Sequence, residues 1–241
     1  MCTVTIFPLE NNDFVLTTNR DEAPDRNSLA PSFYTFQGAK LLFPKDEQSG
    51  GTWVGVSEKK RVVCVLNGGF EYHERQLEKG KSRGLIAKDI LAAENAFETT
   101  AIYDLENVEP FTMVIADWNT GLKFIEWVWD GKKKYFRDLP MEIKMWSSST
   151  LYSPKMKAER LQWFEEFKKN NALSADTLIA FHKTAGNGNN DYGVIMDRGF
   201  VKTTSITQVV KQKKKVEMAY KNLQNNKASK VLFKLPETVN E

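Results

Sequence analysis

The sequence predicts an α+β protein of four layers, in which two mainly antiparallel sheets lie between two layers of helices. Three observations carry this expectation. Patterned segments run in the order strands, helices, strands, helices, strands. Neighbouring β runs are joined by short polar turns, as hairpins are, instead of alternating with single helices. The run Arg61-Val62-Val63-Cys64-Val65-Leu66 is almost wholly apolar, as expected of a strand covered on both faces. No linker, repeat or low-complexity tract divides residues 1–241, so one domain is expected.

The elements follow in order. Thr3–Phe7 and Phe14–Thr18 are β-rich runs flanking the polar stretch Pro8–Asp13, which reads as a hairpin. Gly50-Gly51 precedes a strand at Trp53–Val56, and the apolar run at 61–66 follows. Segment 82–105 reads as helical, with Ser82 as cap and Leu85, Ile86, Ile90 and Leu91 on one face. Strands return at Phe111–Ala116 and Leu122–Trp129. A second helical block spans about 155–185, with Leu161, Phe164 and Phe167 on one face and Ser174 capping its second helix. Gly186–Gly193 reads as a loop. Strands are then expected at Val194–Met196, Val201–Val210 and Val216–Tyr220, with Lys211–Lys215 as a solvated turn.

Composition removes several function classes. The 241 residues are 41% hydrophobic and 27% charged with a net charge of +3, ordinary for a soluble globular chain and too weakly basic to imply nucleic acid. No apolar run approaches the ~20 residues of a membrane span, and no signal-like N-terminus is visible. A cytoplasmic protein is expected. Two cysteines and two histidines, with neither CxxC nor HExxH spacing, support neither a disulfide framework nor a metal site. A Ser-His-Asp triad lacks its Gly-x-Ser-x-Gly elbow. Cys64, inside an apolar run, reads as a core thiol; His182 reads as packed, and His73 as a polar-loop residue within reach of a ligand.

Chemistry concentrates at the N-terminus. Cys2 follows Met1, and cysteine is small enough for the initiator to be removed, which would place a thiol beside an α-amine of pKa near ~8. Such an amine serves as general base for its own side chain, so a nucleophile needs no histidine. Asn19-Arg20-Asp21-Glu22 ends the second strand of the same hairpin and is expected beside Cys2. Arg20 is suited to lowering the thiol pKa and holding a carbonyl or carboxylate, and Asp21 to orienting the α-ammonium. The plainer alternative is a strand-end turn with a surface ion pair of little energetic weight.

Met1-Cys2-Thr3 with Asn19-Arg20-Asp21-Glu22 resembles the NRDE family, whose eukaryotic members are called transport and Golgi organisation protein two. The resemblance continues through Gly50–Val56, Leu66-Asn67-Gly68-Gly69, Ser82-Arg83-Gly84-Leu85, Pro110-Phe111, Ser147–Leu151 and Asp197-Arg198-Gly199. That family is similar to the N-terminal nucleophile hydrolases of the choloylglycine hydrolase and penicillin V acylase group. The resemblance implies an αββα sandwich and attack by Cys2 on a non-peptide C–N amide, with no metal or cofactor. It implies Asp21 at the terminal amine and Asn67 in the oxyanion hole, with Arg20 as support. Asn19, Ser148 and Lys202 are the implied substrate contacts; Trp53, which strand patterning would place in the core, stands beside the glycine pair and is read from that position as the wall of an apolar substrate pocket.

The chain departs from the acylase pattern at three points. Those enzymes carry Arg-Asn-x-Asp where this chain has Thr18-Asn19-Arg20-Asp21, a shift of two that keeps arginine on the same strand face. Ser148 stands where the family has asparagine, giving one donor in place of two. Lys202 stands where arginine is common, keeping charge but losing bidentate recognition. The expected partner is a small-molecule amide. The alternative is an apolar ligand, haem or a lipid or acyl-CoA, bound without turnover on the same fold.

Overall fold

The computed structural model describes residues 2–74 and 80–235. β1 (Cys2–Pro8) and β2 (Phe14–Glu22) form the expected hairpin, with Thr3 opposite Asn19 and Pro8 opposite Phe14. Its turn places Asn11 and Asn12 at φ of 60° and 59°, a left-handed conformation that asparagine tolerates better than most residues.

The chain then builds a seven-stranded antiparallel sheet in simple sequence order. Its strands are β3 (Ser28–Phe36), β4 (Ala39–Asp46), β5 (Val54–Ser57), β6 (Arg61–Asn67), β7 (Phe111–Asp117), β8 (Lys123–Trp129) and β9 (Lys134–Leu139). Between β6 and β7 it detours through α1 (Arg83–Ala92) and α2 (Ala96–Ile102). It returns to the first sheet with β10 (Lys144–Ser147), crosses α3 (Pro154–Asn170) and α4 (Ala175–Thr184), and ends with β11 (Lys202–Gln212), β12 (Lys215–Asn222) and β13 (Ala228–Lys234). The resulting six-stranded sheet has the order β10-β1-β2-β11-β12-β13, every pair antiparallel.

Apolar alternation along β2 explains the layers. Phe14 and Leu16 face the other sheet, where Phe14 meets the Phe124 ring of β8 edge-on at 5.9 Å. Val15, on the opposite face, joins Phe164 of α3 and Leu178 and Phe181 of α4 in a second cluster. On the far side, α1 lies against β4, β5 and β6, burying Ile86, Ile90 and Leu91. β6 is thus covered on both faces, and Cys64 within it is fully buried. The architecture is the expected α+β sandwich, αββα. Among the described residues no helix is long and apolar enough to cross a membrane.

Four local expectations change. The helical segment 82–105 is two helices, because Asn95 caps α2 by accepting from the Phe97 and Glu98 amides. Val194–Met196 is not a strand; Val194 is apolar because it packs under α4, and among the described residues the pairing nearby is an isolated bridge, Asp197 to Lys202. Leu161 is exposed, leaving Phe164 as the buried anchor of α3. Lys211, read as part of a solvated turn, is buried and bonded to Asp13 at 2.8 Å.

Candidate active site

The pleat of β2 divides Asn19-Arg20-Asp21-Glu22 between two environments. Successive side chains of a strand point to opposite faces. Arg20 and Glu22 line a solvent-open cleft of about 830 Å³. Asn19 and Asp21 face the α3/α4 layer and are fully buried.

The cleft lies between the end of β2, the loop after β4 and the N-terminus of α1. Arg20, 2% exposed, donates to Asp46 at 2.6 Å, to Thr204 Oγ1 at 3.2 Å and to the Arg26 carbonyl at 3.1 Å. Its guanidinium sits 4.8 Å from the Trp53 ring centroid, a cation–π contact that fixes its plane. Arg26 shares Asp46 with it and pairs with Glu22. Burial would raise the Asp46 carboxyl, but Arg26 and the Ser49 amide outweigh it and hold the group below its usual range. The opposite wall carries Arg83, which pairs with Glu109 at 2.9 Å.

Two glycines bring these walls together. A Cβ on Gly51 would lie 2.6 Å from the Gly84 carbonyl carbon, and one on Gly84 would lie 2.9 Å from the Thr52 oxygen. Backbone thus packs on backbone, sealed by the Thr52 amide donating to the Gly84 carbonyl at 3.2 Å. The segments Gly50–Val56 and Ser82–Leu85, some thirty residues apart in the chain, meet here for that reason.

The helix-facing side of β2 is a sealed polar seam. Asn19 donates to the His182 and Val194 carbonyls at 2.9 and 2.6 Å and accepts from His182 Nδ1 at 2.6 Å. Burial, with the charge of Arg160, lowers the His182 pKa to about 3, so the imidazole is neutral, and with Nδ1 donating to Asn19 its Nε2 accepts from Thr5 Oγ1 at 2.8 Å. Asp21 accepts from Tyr152 at 2.7 Å and from Thr203 at 2.8 Å. Full burial raises the Asp21 carboxyl, against the pull of Tyr152, Arg160 and Thr203. Arg160, itself fully buried, bonds Thr3, Ser147 at 3.0 Å and the Tyr192 and Gly193 carbonyls, and stacks 4.0 Å over Tyr152. The Gly186–Gly193 loop is therefore tied to α3 at its end, where Tyr192 also stacks on Trp163.

Of the remaining predicted residues, Asn67 and Trp53 line the cleft with Arg20. Ser148 donates to the Asn67 carbonyl at 2.6 Å, so those two residues meet. Lys202 is registered opposite Glu22 yet lines a separate surface cleft beside Asp197. Asn19 is kept from the cleft by its place in the seam. Met1 lies outside the described residues, and Cys2 is described by its backbone. Sequence reasoning missed Arg26, Asp46 and Glu109 at the cleft and Tyr152, Arg160 and Thr203 in the seam. Glu22 and Arg26 stand four apart and were open to pairing; the others meet only through tertiary contacts.

The layering, with the first strand starting beside the cleft, defines a protein of the N-terminal nucleophile hydrolase fold. Solved structures share it. A C2A mutant of conjugated bile acid hydrolase from Clostridium perfringens matches with a TM-score of 0.54 at 13% identity, covering 96% of this chain and 92% of that one. Penicillin V acylase from Agrobacterium tumefaciens matches at 0.55 and 10% identity, covering 95% and 86%. The Caenorhabditis elegans ortholog of N-acylethanolamine-hydrolyzing acid amidase matches at 0.60 and 11%, covering 87% and 92%. No curated protein sequence matches. The family model for Transport and Golgi organisation 2 matches residues 1–191, and the chain belongs to that family.

Proposed function

We propose that the protein is an N-terminal-cysteine amidohydrolase that cleaves a linear, non-peptide C–N amide through an acyl-thioester on Cys2. One observation carries the reading. β1 begins at Cys2 directly opposite Arg20, and the register that pairs Thr3 with Ser147 brings Ser148 level with residue 2 on its other side. The register thus sets the backbone of residue 2 between Arg20, at the cleft, and the residue after Ser147. Removal of Met1 leaves the Cys2 α-amine level with the next residue of β2, Asp21, which Tyr152 and Thr203 hold in place.

In this mechanism the amine takes the thiol proton as sulfur bonds to the amide carbon. It then passes that proton to the leaving nitrogen as the C–N bond breaks. Water attacks the thioester, gives its proton to the same amine, and the thiol is re-formed as the acid departs. Asn67 and its backbone neighbours donate to the oxyanion, a role worth about 2.7–4 kcal/mol per donor in other enzymes. Arg20, fixed by Trp53 and Asp46, orients the substrate. A cytoplasmic setting suits the reaction because it keeps the thiol reduced.

One observation favours the competing reading, a haem-, lipid- or acyl-CoA-binding protein without turnover: the Ser148 hydroxyl is spent on the Asn67 carbonyl. Intact mass separates the two. Protein expressed with a native N-terminus is expected to lack the Met1 mass and to gain one adduct, mapped to Cys2, from a β-lactam probe; Cys2→Ala should gain none. Retained Met1, or an unlabelled Cys2 after processing, transfers the reading to ligand binding.

A further inference from the structure

The turn that follows β6 is held at three consecutive carbonyls, each by one hydroxyl. Ser148 Oγ donates to the Asn67 carbonyl and Ser149 Oγ to that of Gly69, both at 2.6 Å. Thr112 Oγ1 donates to the Gly68 carbonyl between them at 3.1 Å. These peptides are trans, so each C=O and the N–H that follows it point opposite ways. Each hydroxyl therefore fixes the direction of one amide: Ser148 that of Gly68, Thr112 that of Gly69, and Ser149 that of Phe70. The Gly68 amide is spent on the Pro110 carbonyl at 2.9 Å. Gly68 has a φ of +88°, and a Cβ there would lie 2.9 Å from Ser149 Cβ, so the turn rests directly on the serine segment.

The Ser149 hydroxyl has a further partner that decides where its proton goes. Lys157 Nζ, in the first turn of α3, donates to Ser149 Oγ at 2.6 Å. A hydroxyl carries one proton, and an ammonium is a donor only. With Lys157 on an Oγ lone pair, the proton is left for a carbonyl: Gly69 at 2.6 Å, with Phe70 farther at 3.4 Å. Lys157 is half-buried, and among the described residues it has no carboxylate partner. Burial lowers its pKa, which means that the fold disfavours the charge it carries. Its ammonium thus adds no ion pair to the scaffold and is directed to the hydroxyl that holds the turn.

We infer that Lys157 is a positioning residue that acts through Ser149 to set the Gly69–Phe70 peptide plane, and with it the oxyanion-binding turn after Asn67. The inference rests on the reading of Cys2 as the amide-cleaving nucleophile and adds a residue from the helical layer to it. Oxyanion donors act by being in place before charge develops, and a turn free to reorient loses part of that gain. In this scheme Lys157 touches neither the substrate nor the thiol.

The test follows acylation of Cys2 by the β-lactam probe in the full chain with its native N-terminus. Lys157→Met is expected to lower the limiting rate about tenfold or more, with less than about a twofold change in the half-saturating probe concentration. Its thermal melting should be unchanged or higher, because a disfavoured charge has been removed. Lys157→Arg, which returns a donor to Ser149, should recover most of the rate. Ser149→Ala should be slowed to a similar degree, and adding Lys157→Met to it should cost nothing further. A second readout does not depend on the thiol. With carbonyl-labelled glycine and nitrogen-labelled phenylalanine, correlated signals come from Gly69–Phe70 and Gly199–Phe200, the two Gly-Phe pairs of the sequence. Lys157→Met should move the first and leave the second; should that variant fail to fold, Ser149→Ala carries both readouts. An unchanged rate, a loss that tracks lower melting and is not recovered by arginine, or an unmoved Gly69–Phe70 signal would overturn the inference. A parent protein whose Cys2 takes no label, with that signal still moved, would sink the hydrolase reading and leave the action of Lys157 on the turn standing.

Discussion

The two faces of β2 carry the same four-residue motif into opposite kinds of chemistry. Toward the helices, Asn19 and Asp21 have every polar atom engaged by buried partners, and the seam they form is closed to water. Toward the cleft, Arg20 and Glu22 meet arginine and aspartate at a surface that solvent reaches. The tetrapeptide is thus two interleaved devices. One locks the strand to α3 and α4, with Asp21 at its end level with the start of β1, and the other lines the candidate cleft. A contiguous motif in a strand cannot be assigned one role, since its period of two distributes it.

The sharpest way to break this contrast is to remove the cation at the centre of the seam. Arg160→Met leaves Thr3, Ser147 and the Tyr192 and Gly193 carbonyls without their donor and Asp21 without its nearby charge. Breaking a buried charged cluster from one side costs about 3–5 kcal/mol. Glu22→Gln on the cleft face removes a partly exposed pair with Arg26, which keeps Asp46; that loss is expected to stay under ~1 kcal/mol. Urea unfolding of both variants measures the difference. Equal losses would mean that the two faces are not energetically distinct.

A second effect should appear in the pH dependence. His182 is held to a pKa of about 3 from an ordinary 6.5 by burial and by Arg160. Below pH 6.5 the unfolded chain takes up a proton that the native imidazole refuses, so stability falls on acidification from about 6.5 toward 3. The slope is about 1.4 kcal/mol per pH unit, or roughly 2–3 kcal/mol between pH 7 and 4.5. Asp21 works the other way: its raised carboxyl binds a proton in the fold before the unfolded chain does, which relieves strain in acid. His182→Gln should lower stability at neutral pH but flatten this slope by about one proton. An unchanged slope would place the acid sensitivity elsewhere.

How far these faces were legible in the sequence depends on what kind of contact makes them. The β1–β2 hairpin announces itself through β-branched runs and a polar turn, and the Asn19–Glu22 motif lies visibly at its end. β3 and β4 were missed because β3 carries Pro31 at a register shift and exposes much of its length, so its alternation is weak. β10 has only four residues, too few to show a period. The family resemblance implies Asn19 as a substrate contact; only the register with Thr3, and the seating of His182 behind it, shows which way it faces. Asp46 and Arg20 meet across 26 residues and two sheets, and no local spacing encodes that.

The smallest expected effect tests the boundary between the two devices at Ser148. Its hydroxyl donates to the Asn67 carbonyl at 2.6 Å and lies 3.1 Å from Thr150 Oγ1, so its one proton is committed to the scaffold. Ser148→Ala should therefore cost only about 1 kcal/mol, the usual net worth of one hydrogen bond. It should slow acylation of Cys2 by the β-lactam probe less than tenfold. Deleting a genuine oxyanion donor costs about 10²–10³ in rate. A loss of that size with the fold intact would mean that the hydroxyl rotates away from Asn67 as the oxyanion forms. Ser148 would then belong to the cleft, and the position where the family pattern has asparagine would keep its role with half the donors.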